Sequence, residues 1–61
     1  MTTFERIEKL RKEAGLSQGK LEKELGFSNG CISKWNESEP GIRKVQKVAD
    51  YLGVAIEDLL E

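Results

Sequence analysis

The sequence predicts an all-α domain of five short helices. Apolar residues recur every three or four positions, the spacing of one helical face. Gly15, Gly26, Pro40 and Gly53 interrupt those stretches where helices stop. No stretch alternates apolar and polar residues as a strand does.

The first helix starts near Thr2 or Thr3. Thr2 and Glu5 have the spacing of a capping box, in which each side chain binds the other's backbone amide. Phe4, Ile7, Leu10 and Ala14 form its apolar face, and Gly15 stops it, with Leu16 just beyond. The second helix runs from a Ser17 cap to Leu25 and stops at Gly26. The third is predicted from a Ser28 cap to about Asn36. Its opening pair, Asn29-Gly30, is weak helix former, so packing must hold it. Pro40 closes the loop 37–41, because the residue before proline leaves the α region. The fourth helix carries Ile42, Val45, Val48, Ala49 and Leu52 and ends at Gly53. A short fifth helix is predicted around Val54, Ile56, Leu59 and Leu60, with Glu57 and Asp58 in the first turn, where the dipole favours acids.

Sixty-one residues form one domain, 1–61, with one small core. The chain has no His and a single Cys31, so no Ser-His or Cys-His nucleophile pair exists. A zinc set is not expected either. The reading is therefore of a non-enzyme with no cofactor and no metal. Cys31 is expected to be a half-buried helix residue rather than a redox sensor. No apolar run has the length of a membrane span, and cytoplasmic location is expected. Net charge is −1, so an indiscriminate polyanion binder is disfavoured.

The segment at about 17–37, SQGKLEKELGFSNGCISKWNE, has the layout of a helix-turn-helix. Leu21 and Leu25 share a face on its first helix, and Ile32 and Trp35 share one on its second. In that motif the second helix, here about 28–36, can enter the DNA major groove. With Ile32 and Trp35 inward, Asn29, Gly30, Ser33, Lys34 and Glu37 face outward. Asn can pair with adenine, Lys can donate to guanine, and Gly30 would let the backbone approach closely. Gln18 and Ser28 stand at helix starts, where free amides bind phosphate. Arg43, Lys44 and Lys47 form a basic cluster on the fourth helix; Arg43 and Lys44 are the stronger candidates. Glu37 and Glu39 are expected close to this surface, repelling phosphate. Within 17–38, Lys20, Lys23 and Lys34 oppose Glu22, Glu24 and Glu37, so the motif has no net charge and a single copy should bind weakly.

The fragments RKEAGLSQ, LGFS, ISKW and VADYLGV, at these spacings, resemble the Cro and phage-repressor-like (XRE-like) helix-turn-helix family over essentially the whole chain. The resemblance implies a five-helix lambda-repressor-like DNA-binding domain. By it, Gln18 opens the second helix and Ser28–Asn36 is the recognition helix. The implied partner is double-stranded operator DNA, and the implied role a transcriptional repressor that blocks polymerase by occlusion. A homodimer is expected, through helix five or a region beyond Glu61. The rival reading is an antitoxin-like protein-interaction module that uses the motif mainly as scaffold. Three positions depart from the family pattern. Glu22 stands where a small residue is common. Asn36 stands where a glutamate would meet Arg11, predicting that Arg11 meets Asn36 or Glu37 only loosely. Ala55 caps helix five in place of Ser or Thr.

Overall fold

The computed structural model describes residues 1–60. Three α-helices, α1 (Thr3–Glu13), α2 (Gln18–Leu25) and α3 (Ile42–Leu52), are accompanied by two 3₁₀ turns, Ser33–Asn36 between α2 and α3 and Ile56–Asp58 after α3. There is no strand among the described residues.

The start of α1 is fixed locally. Thr2 Oγ1 accepts the Glu5 amide at 3.1 Å, and Glu5 Oε1 accepts the Thr2 amide at 2.9 Å, closing the capping box. At its end the Gly15 amide donates to the Lys12 carbonyl and the Leu16 amide to the Arg11 carbonyl, each at 3.0 Å. Ser17 caps α2 by accepting the Lys20 amide at 3.1 Å.

Ile7, Leu21, Ile32, Val45, Val48 and Leu59 are fully buried where the elements meet. Ala49, Cys31 and Trp35 complete this core, and Phe4, Leu10, Leu25 and Phe27 pack around it. The Arg6 guanidinium donates to the Leu60 carbonyl and ties the end of the described chain to α1.

Four sequence expectations need correction. The largest concerns the third helix: residues 29–32 form a turn, and only Ser33–Asn36 are helical, as 3₁₀. Gly30 has φ +84°, which a right-handed helix does not contain. The Glu22 carboxylate, 3% exposed, reaches from α2 and accepts the Gly30 amide at 3.0 Å and the Ile32 amide at 2.8 Å. In an α-helix from Ser28, the Ile32 amide would bind the Ser28 carbonyl instead. Ser28 thus caps no α-helix; its carbonyl accepts the Cys31 amide at 3.0 Å. Cys31 sits in the turn and is buried.

Second, helix five is a single 3₁₀ turn. Asp58 Oδ2 accepts the Ala55 amide at 3.3 Å, and the turn delivers Leu59 to the core. Third, Ile42 is 59% exposed, because the first residue of α3 extends past the core. Fourth, Arg11 meets neither Asn36 nor Glu37. It binds Glu8 through two nitrogens at 2.7 and 2.8 Å and donates to the Leu16 carbonyl at 2.9 Å. Glu8 is three residues away on the same helix, so this pair forms without ordering a loop.

Arg11 holds the Glu8 carboxyl below the ordinary glutamate range, chiefly by hydrogen bonding. The stabilisation from a lowered folded-state pKa is present above the unfolded value and lost as pH falls through the folded one. Glu8→Gln should therefore lower stability at neutral pH and reduce its loss on acidification below the ordinary glutamate range. Urea midpoints measured against pH for both proteins check this; parallel curves would contradict it.

Candidate nucleic-acid interface

The end of α2 and the first half of α3 converge on one open groove, lined by Gly26, Phe27, Ser28, Cys31, Arg43, Lys44 and Lys47. Gly26 turns the chain out of α2 with φ +74°, and the next residue is Phe27. Phe27 packs edge-to-face on Trp35, with ring centroids 5.8 Å apart and planes at 68°. The Lys44 and Lys47 ammonium groups lie 5.9 and 6.0 Å from the Phe27 ring centroid, within cation–π range. Lys44 Nζ also lies 3.8 Å from Cys31 Sγ. The aromatic ring thus holds two ammonium groups over a buried base.

No acidic residue lines this groove. The two ion pairs among the described residues are Arg11–Glu8 and Lys20–Glu24, so Arg43, Lys44 and Lys47 have no carboxylate partner there. Gly41 caps α3 without a side-chain hydrogen bond, and the first turn of α3 contains no acid. The positive end of that helix dipole therefore reinforces Arg43 and Lys44, which lie in that turn. This arrangement can hold anionic oxygens such as backbone phosphates.

Of the candidate residues, the groove brings together Ser28, Arg43 and Lys44. Asn29 is exposed and borders a separate depression with Gly19, Glu22, Lys23 and Phe27. Gln18 is the first residue of α2 and half-buried. Gly30 is half-buried in the turn held by Glu22. Ser33 is exposed, but its hydroxyl donates to the Gly30 carbonyl at 2.8 Å, which reinforces the turn. Lys34 is exposed on the first 3₁₀ turn. Gln18, Ser33 and Lys34 line neither depression.

Glu37 and Glu39 line neither. They border a depression with Thr2, Thr3, Phe4, Trp35, Asn36 and Pro40, at the start of α1. The expected repulsion therefore acts from outside the groove. The neutral charge count of 17–38 also divides unevenly in space. Glu22 is turned inward onto amides, and Lys20 pairs with Glu24 at 2.9 Å. Lys23 and Lys34 remain outward against Glu37, an excess of one positive charge.

Sequence reasoning gave Lys47 less weight than its two neighbours and assigned Phe27 no role. Lys47 stood in the helical spacing, four residues after Arg43 and three after Lys44. Nothing local marks Phe27, whose partners come from α3 and the first 3₁₀ turn.

The sequence profile of the helix-turn-helix family matches residues 7–59. The chain belongs to that family, of the Cro and phage-repressor (XRE) type, and DNA binding is what that membership implies. No curated protein and no solved structure gives a significant match. Among the described residues no helix is long and apolar enough to cross a membrane.

Proposed function

We propose that the chain is a sequence-specific double-stranded DNA-binding transcriptional regulator, a cytoplasmic repressor that acts as a homodimer by covering its operator. The observation that carries this reading is the groove in which Ser28 and Phe27 meet Arg43, Lys44 and Lys47 with no acid between them. That groove grips backbone phosphates, while the exposed Asn29 faces the bases and the exposed Lys34 reaches either a base or a phosphate. A single copy has few phosphate contacts and a net charge of −1, so two copies on a palindrome supply the affinity that one lacks.

Selection from a random duplex library at low and moderate salt tests the reading. A reproducible palindromic motif supports it; the absence of any selected motif at either salt sinks it and favours a scaffold role.

On the selected operator, Asn29 and Lys34 should separate. Asn29→Ala should cost about 1–3 kcal/mol and relax preference at one base pair. If Lys34 holds a phosphate, Lys34→Ala weakens binding to all sequences alike and reduces the salt slope by about one. If it reads a base, the loss concentrates at one operator position. Titration of both variants on single-base operator mutants distinguishes these results. An Asn29→Ala protein with unchanged base preference would remove Asn29 from the reading surface.

A further inference from the structure

We propose that Glu22 is the positioning residue of the reading segment: its two carboxylate oxygens fix the backbone of residues 29–32, and with it the direction in which Asn29 meets DNA. The inference rests on the DNA-binding reading above and adds the residue that sets its base preference.

Glu22 lies on α2 and is 3% exposed. A buried carboxylate is costly unless fully hydrogen-bonded. No ion pair among the described residues includes Glu22. What meets its charge is backbone: Oε1 takes the Gly30 amide at 3.0 Å, and Oε2 takes the Ile32 amide at 2.8 Å. Such charge-assisted bonds are stronger than neutral ones.

The Ile32 amide cannot serve two acceptors well. Either it binds Glu22, or it binds the Ser28 carbonyl in an α-helix. The carboxylate therefore competes with a helical reader for one donor, and glycine at position 30, with φ +84°, lets the turn form. A helix beginning at Ser28 would also leave its Gly30 amide free at the N-terminus for an external anion. Here that amide is turned inward onto the protein's own anion. Phosphate gripping then falls to the α3 cations, and the turn is left to present Asn29.

Glu22→Gln is the direct test. The glutamine amide keeps the size and one oxygen but sets an NH₂ group against the second backbone amide, donor against donor. Amide hydrogen exchange on the free protein reads the positioning, and duplex selection reads the consequence. Whichever of the Gly30 and Ile32 amides faces the NH₂ group should exchange about tenfold faster, the loss of roughly one hydrogen bond. Ile7 and Val48 amides should keep their rates. The selected motif should lose preference at one or more positions, while affinity for random duplex stays within about twofold, a range typical of a surface left intact. Should Glu22→Gln fail to fold, Glu22→Asp keeps the charge but withdraws it by one methylene, and the same two amides should loosen. Unchanged exchange at Gly30 and Ile32 overturns the proposal, as does faster exchange with an identical selected motif. A wild-type chain that selects no motif overturns the regulator reading and the base-presenting half of this proposal; the exchange rates decide the positioning half in either case.

Discussion

Trp35→Ala is expected to leave much of the population unfolded at 25 °C. Trp35 is 8% exposed and lies in the core cluster with Ile32, Leu21 and Val48. Removing so large a buried ring costs about 3–5 kcal/mol through lost burial and the cavity left behind. A chain of this size has a total stability on the order of 5 kcal/mol, so the substitution removes most of it. The loss also takes away the edge that supports Phe27. Trp35→Phe, which keeps an aromatic ring, should cost distinctly less. Urea denaturation followed by far-ultraviolet circular dichroism checks this. A midpoint unchanged in Trp35→Ala would remove Trp35 from the core.

The second large effect concerns charge. Lys44→Glu with Lys47→Glu should reduce affinity for duplex DNA by at least about 100-fold at 0.1 M salt. Each lost phosphate contact lowers the salt slope by about 0.9, and each reversed charge adds repulsion at the same place. Both side chains are exposed and have no ion-pair partner among the described residues, so the fold should survive their loss. The cost to stability should be at most about 2 kcal/mol, the worth of two exposed cation–π contacts. Lys9 serves as the control, because it borders Met1, Arg6 and Val54 in a different depression. Fluorescence-anisotropy titrations of the single variants Lys44→Glu and Lys47→Glu, each a change of the same net charge as Lys9→Glu, should therefore differ widely from that of Lys9→Glu. Equal losses would mean that only net charge matters and that the groove has no special part.

What the sequence made legible was what neighbouring residues settle among themselves. The Thr2–Glu5 box spans one turn, and the Ser17 cap acts on Lys20 within the same turn. The inward face of α3 followed from spacing at Val45, Val48 and Ala49. The same spacing included Ile42, because periodicity assigns a face and says nothing of whether another element lies opposite it. Arg11 was misplaced for a related reason: the family pattern supplied a distant partner, while Glu8 stood three residues away.

The reading segment was not legible because its shape depends on contacts between a side chain and backbone eight and ten residues later. Weak helix propensity at Asn29-Gly30 was visible, but it signals only that something else must decide. Glu22 was visible too, as a departure from a small residue. Its spacing marked no partner, since any amide can receive a carboxylate. The candidate site was half legible on the same grounds: Arg43, Lys44 and Lys47 lie on one helical face, whereas Phe27 joins them only through the tertiary fold.

The edge-to-face contact between Phe27 and Trp35 has an optical consequence. Trp35 is the chain's single tryptophan, so its emission arises from one place. That place lies directly behind the ring that carries the Lys44 and Lys47 ammonium groups. Whatever draws those charges outward, or tilts the phenyl ring beneath them, changes the electric field across the indole. The protein thus contains its own fluorophore one ring away from its cationic groove, so occupancy can be followed without attaching a dye.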